Sequence, residues 1–215
     1  PHMLPAHFFN DYLACDSSIV QITVSPDVEL GYLEFYRGFD NHIEFEKKSG
    51  EKGTTYIWKG SNLEPRKYEN DSGGSSCNNP HLIPHIRTYK NGDGEIPVLR
   101  NKEDLFAWYN TLVQDFELSS EYLGILDELK EGDPSQDELA ERIFNWVQKN
   151  VKYIAYEEGI EGFQPRNPND VIKNRFGDCK DMAVLVSTMM KQCGIDCYYA
   201  WVGTRSKCYT YEECP

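Results

Sequence analysis

The spacing of apolar residues changes once along this chain, and that change limits the fold more than any other feature. Over residues 17–60 the runs "SIVQITV", "VELGYLEFYRG", "NHIEFEKK" and "GTTYIWKG" set β-branched and aromatic residues in rough alternation with polar ones. A repeat of two sends successive side chains to opposite faces of a strand. From Asn101 onward the repeat becomes three and four: Leu105, Trp108, Tyr109 and Leu112; then Leu139, Ile143, Trp146 and Val147; then Met182, Leu185, Val186, Met189 and Cys193. That is the spacing of one helix face. Strands followed by helices predict an α+β chain, with an antiparallel, sandwich-like β-domain first.

Punctuation places the elements. Lys48-Ser49-Gly50-Glu51-Lys52-Gly53 is a hairpin loop. "ENDSGGSSCNNP" (69–80) reads as a flexible loop, and Pro84 makes "HLIPHIRTY" an extended segment crossing a surface. Asn101 can cap a helix whose first turn carries Glu103 and Asp104. Ser135 and Glu138 have capping-box spacing after Pro134. "VKYIAY" reads as a short strand, and a short helix follows Asn167-Pro168. The last helix spans 179–193 and stops at Gly194. "IDCYYAWVGT" reads as a strand with Ile195, Cys197, Tyr199 and Trp201 on one side. The boundaries are a β-rich domain over 1–100, a helical connector over 101–134 and a second domain over 135–215.

The chain has 215 residues, enough for one large domain or two small ones, and 40% of them are hydrophobic, enough for a packed core. Its net charge of −13 repels phosphate backbones and anionic membrane surfaces, so neither nucleic acid nor membrane is an expected partner. No apolar run is long enough to span a bilayer. Pro1-His2-Met3 reads as a cloning remnant, so the chain is expected to be a piece of a longer protein.

Cys179 falls in the first turn predicted for the last helix, behind Gly177 and Asp178. Free N–H groups and the dipole at a helix start favour thiolate, the nucleophilic form. The same N–H groups can hold an oxyanion. Gly177 would let the chain turn sharply and leave room for a substrate. Asp178 and Asp181 would cap the helix, yet two carboxylates so close would oppose the thiolate. An active thiolate therefore calls for a cationic partner. The plainer alternative is a small buried cysteine.

"NRFGDCKDMAVLVSTMMKQCGIDCYYAWVGTR" (174–205), with "NWVQKNVKYIAYEEGIEGFQPRNPNDVIK" before it, resembles the nucleophile segment of the transglutaminase-like superfamily of papain-like cysteine enzymes. The resemblance covers residues 135–205. "YIWKGSNLEP", "PHLIPHI" and "LFAWYNTL" resemble a β-rich domain that precedes such cores in bacterial envelope proteins. The likeness implies that Cys179 attacks a carboxamide or peptide carbonyl, with acyl transfer to water or to an amine. A histidine would act as base and an acid would orient it. The family's histidine and acid follow the cysteine, whereas His2, His7, His42, His81 and His85 all precede Cys179. The chain as given is thus expected to be inactive and its core truncated. "HLIPH" reads as structural or surface. Gln164 is a candidate oxyanion donor or substrate-binding group. The implied partner is a protein or peptide substrate, the implied site extracytoplasmic, and neither cofactor nor metal is expected. The competing class is a non-catalytic binding or scaffold protein on a degenerate core.

Seven cysteines leave an odd thiol. Cys193, Cys197, Cys208 and Cys214 could hold zinc, remain free or form disulfides, with Cys208 to Cys214 the pairing expected first.

Overall fold

Gly53 closes the β-hairpin that the sequence predicts. Its φ of +127° is open to glycine, and a Cβ there would run into the Val24 carbonyl oxygen. The protein is described by a computed structural model, which covers all residues except 1–3, 37–41, 67–70, 72, 114, 156–157, 211 and 214–215. Its elements are β1 (His7–Phe8), β2 (Cys15–Val24), β3 (Val28–Phe35), β4 (His42–Gly50), β5 (Gly53–Leu63), α1 (Ser75–Asn78), β6 (His81–Asn91), β7 (Gly94–Pro97) and α2 (Lys102–Leu112). Then come α3 (Leu123–Lys130), α4 (Gln136–Asn150), β8 (Lys152–Tyr153), a 3-10 turn (Gly159–Gly162), α5 (Pro168–Asn174), β9 (Phe176–Gly177) and α6 (Cys179–Gln192). The fold is α+β.

Two compact units form. The first comprises Pro1–Ala107 together with Val202–Pro215, the second Trp108–Trp201. These limits differ from the boundaries read at 100, 134 and 215. The last residues join the β-rich unit because Cys208 is bonded to Cys77 and Tyr209 hydrogen-bonds His81.

The first unit has two antiparallel sheets, β1-β6-β3 with β7 on β6, and β2-β5-β4. Alternation along β5 turns Tyr56 and Trp58 inward, where they pack with Leu30, Leu82 and Phe9. Tyr32 meets Trp58 edge-on at 5.0 Å, and the buried indole N–H donates to Glu34 Oε1 at 3.3 Å. "HLIPHIRTY" does not cross a surface. It forms the inner strand β6, paired with β3 from Phe35↔His81 to Val28↔Tyr89. Pro84 is tolerated because β1 pairs only at 81–82 and β7 only at 88–91, so no described strand flanks that side of Pro84.

The second unit is helical. Leu139, Ile143 and Val147 of α4 meet Leu185 and Met189 of α6 and Val171 and Ile172 of α5. The buried stripe of α6 is Asp181, Val184, Leu185, Thr188 and Met189. It is turned from the expected stripe, so Met182 and Val186 are only partly covered. Of the α2 stripe, only Tyr109 is buried. Residues 195–204 are not a strand, since no described strand pairs with them, yet burial still alternates over 195–200.

Candidate active site

Three local devices place Cys179. Asn167 caps α5 by accepting the Asn169 N–H at 2.9 Å, and Pro168 occupies the first turn, where its missing N–H costs nothing. Arg175, at φ 60°, ends α5 in the left-handed region and reverses the chain. β9 then pairs in parallel with β8, through Lys152 N–H to Arg175 O at 2.9 Å and Ile154 N–H to Gly177 O at 3.0 Å. The backbone is thereby fixed at Gly177, two residues before the helix start.

Asp178 is the N-cap of α6 and forms a reciprocal capping box. Its carboxylate accepts the Asp181 N–H at 3.3 Å, and Asp181 Oδ2 accepts the Asp178 N–H at 3.1 Å. Both acids are fully buried. Gly177 is buried too, and its φ is outside the left-handed region that only glycine adopts readily. Its lack of a side chain serves packing. A Cβ there would lie 2.9 Å from Asp181 Cβ and 3.3 Å from Val171 Cγ1.

The carboxylates do not stand uncompensated beside the thiol. Lys180 Nζ pairs with Asp178 Oδ2, and its side chain is 9% exposed. Arg166 donates its backbone N–H to Asp181 Oδ1 at 2.8 Å, while its guanidinium lies 3.4 Å from Asp181 Oδ2 and over the Phe176 ring. Two acids and two bases sum to zero charge. Cys179, the first residue of α6, is exposed and free. The capping box takes up the Asp178 and Asp181 N–H groups, while those of Cys179 and Lys180 are in the turn that helical bonding does not use.

Cys179 also lines a cavity of about 450 Å³ along α6, with Phe144, Met182, Val186, Met190 and Tyr199 among its walls. Tyr199 stacks on Tyr109 at 5.6 Å, and Trp201 meets Tyr109 edge-on at 4.4 Å. Burial first, then its hydrogen bond with Tyr109 and the nearness of Cys179, hold the Tyr199 phenol neutral well above its ordinary range. Gln164 is exposed after the 3-10 turn and is not part of the cavity wall.

No described histidine lines this cavity. His81 is buried between the rings of Phe8 and Phe35, with Nδ1 2.8 Å from Asn79 O and Nε2 2.8 Å from the Tyr209 hydroxyl. His85 is buried as well, so both are internal rather than surface groups. Cys208 bonds Cys77, with Cα atoms 5.2 Å apart, and not Cys214, which lies outside the described residues. The loop and the chain end that carry this pair are far apart in sequence, which hides the pairing. The disulfide removes one thiolate from the four-cysteine zinc reading. Among the described residues no group of three His, Cys, Asp or Glu is placed to hold a metal. No helix among them is long and apolar enough to cross a membrane.

Sequence reasoning misses Lys180, Arg166 and Tyr199 as site groups. Lys180 between two aspartates carries a readable signal. Arg166 meets Asp181, 15 residues on, only in the fold.

Residues 124–209 match the family model of the transglutaminase-like superfamily. No curated protein matches the chain. A solved structure from Parabacteroides distasonis ATCC 8503, described as a candidate protease, is similar at a TM-score of 0.60 and 14% identity. The match covers 88% of this chain and 35% of that one, so the present chain spans little more than a third of that relative. At this identity the likeness is one of fold.

Proposed function

We propose, for a chain whose residues 124–209 match the family model of the transglutaminase-like superfamily, that Cys179 is the nucleophile of a papain-like thiol enzyme acting on carboxamide or peptide bonds. The observation that carries this reading is an exposed cysteine at the first position of α6, on a cavity wall, above a charge-neutral capping box. The sulfur would bond to the carbonyl carbon while the carbonyl pair moves to oxygen. First-turn N–H groups would donate to that oxygen. The amine would leave with a proton, and water or a second amine would take the acyl group from sulfur. The similar structure described as a candidate protease favours water as acceptor.

The proton acceptor is proposed to come from outside these 215 residues. The described histidines belong to the first unit and none lines the cavity. On this reading the polypeptide alone does not turn over substrate. Gln164 is left as a candidate substrate contact beyond the cavity. The Cys77–Cys208 disulfide supports an oxidising, extracytoplasmic setting, such as a bacterial cell envelope, with a protein or peptide as substrate.

The test is iodoacetamide labelling of Cys179 against pH, mapped by peptide mass, with Cys179→Ser as blank. Cys179 is expected to label several-fold faster than free cysteine at mildly acidic pH, where an unactivated thiol is protonated and slow. A rate no greater than that of free cysteine returns Cys179 to a non-catalytic role. It would favour the non-catalytic scaffold reading, which a cavity wall with no described histidine also suits.

A further inference from the structure

We infer that Lys180 is a positioning residue for Cys179: its buried charge cancels that of the Asp178 carboxylate, so that the sulfur can carry a negative charge at the start of α6. This assignment rests on the thiol-enzyme reading above and adds a residue to that site.

The helix alone gives no reason for a lysine here. Lys180 is the second residue of α6, and a cation in the first turn of a helix opposes the helix dipole. Its side chain is only 9% exposed, so the ammonium also gives up most of its water. Capping does not call for it. Asp178 caps α6 by accepting the Asp181 N–H, which an uncharged asparagine does equally well. Asparagine at 178 with a neutral residue at 180 would hold the same helix start without burying two charges, an exchange that is often neutral or stabilising. Nor does the other acid call for it. Asp181 has the Arg166 N–H at 2.8 Å and the Arg166 guanidinium at 3.4 Å. Lys180 Nζ reaches back to Asp178 Oδ2 instead.

The residue between Asp178 and Lys180 sets this position apart. Cys179 is exposed and free, while both its neighbours are buried. Burial and Tyr109 come first in holding the Tyr199 phenol neutral, and Cys179 and Asp178 then add to the effect, so the sulfur and the carboxylate lie near the same ring. Among the described residues, the titratable and charged groups at this end of α6 are thus Asp178 and Lys180, Asp181 and Arg166, and the neutral Tyr199. With Lys180 in place the four charges cancel. Without its ammonium, one buried negative charge would face the thiolate in a region where like charges repel far more than in water. The pair burdens the helix start and clears the field around the sulfur, which assigns it to the chemistry.

The experiment labels Cys179 of the intact 215-residue chain with iodoacetamide at about pH 6.5 and about pH 9.5, on either side of the ordinary thiol value of about 8.5. The sulfur forms a bond to the methylene carbon, the carbon–iodine bond breaks, iodide leaves and the thiol proton passes to solvent. Rates are read from the mass of the chymotryptic peptide holding Cys179. Lys180→Gln keeps a hydrogen-bond donor for Asp178 and removes only the charge. It should label at least fivefold slower than wild type at the lower pH, and within twofold of it at the higher pH, where thiols ionise without help. Asp178→Asn/Lys180→Gln removes both charges and keeps the cap. It should return the rate at the lower pH to within twofold of wild type.

A smaller deficit for Lys180→Gln at the lower pH overturns the assignment. So does an equal deficit at both pH values, or a double variant that stays slow, since either is what a merely structural lysine gives. If the urea midpoint shows that Lys180→Gln does not fold, the double variant decides: a rate within twofold of wild type supports the assignment, and a slower one overturns it. A wild-type Cys179 no faster than free cysteine at the lower pH overturns the thiol reading, and this assignment with it.

Discussion

Asp181 does more at this site than any other single side chain. One buried carboxylate accepts the Asp178 and Arg166 N–H groups and pairs with the Arg166 guanidinium. Asp181→Asn keeps the shape but replaces an acceptor oxygen with a donor, leaving a buried N–H and a cation short of a partner. The expected cost is about 2–4 kcal/mol, read as a fall in the urea midpoint at pH 7; a loss under about 0.5 kcal/mol would show the network to be dispensable. His81 gives a second residue-scale outcome. Burial depresses its pKa from the ordinary 6.5, against a smaller opposing effect of the Asn79 carbonyl. Burial also depresses His85 and His7. Well above pH 6.5 both folded and unfolded states are neutral. As pH falls through 6.5 the unfolded chain takes up protons that the buried rings refuse, so stability drops until the pH passes below the folded values. The melting temperature should fall between pH 7.5 and 5, and less steeply in His81→Gln. An equal slope in the variant would remove His81 from the account.

At the scale of elements, α4 shows what was legible and why. Ser135 and Glu138 stand at capping-box spacing in the sequence, and in the fold Ser135 Oγ accepts the Glu138 N–H while Glu138 accepts the Ser135 N–H at 2.8 Å. Ser135→Ala should cost about 1 kcal/mol, measurable by thermal unfolding, with faster hydrogen exchange confined to the first turn of α4. The cap signal is local, so sequence carries it. The same holds for Asn167 before α5 and for Cys179 at the start of α6. α3 carries no comparable signal, because Tyr122 gives it no side-chain cap. The strand expected over 195–204 failed for another reason: alternation prepares a strand, but only a neighbouring ladder makes one. Likewise the face of α6 turned because Asp178 and Asp181 fold inward to Lys180 and Arg166, a choice made by charge pairing that hydrophobic spacing does not record.

At the scale of the whole molecule, the disulfide joins residues 131 apart, and the entire second unit lies between them in the chain. A bridge over so long a loop restricts the unfolded chain strongly. Cys77→Ser should destabilise the first unit by about 2–5 kcal/mol. Hydrogen exchange along β5 and β6 should quicken while that of α4 and α6 stays unchanged, because the second unit has its own core. Equal acceleration in both units would mean that they unfold together.

The discontinuity of the first unit also sets an order of assembly during synthesis. Its sheets leave the ribosome early, but the partner of Cys77 and the tyrosine that bonds His81 arrive only with residues 208 and 209. Until then Cys77 is a free thiol and the Nε2 of His81 lacks its hydroxyl. The helical unit around Cys179, contiguous from 108 to 201, is synthesised before Cys208 and Tyr209 can reach the sheets they tie. The nascent sheets therefore wait through the whole second unit for the bond that fastens them.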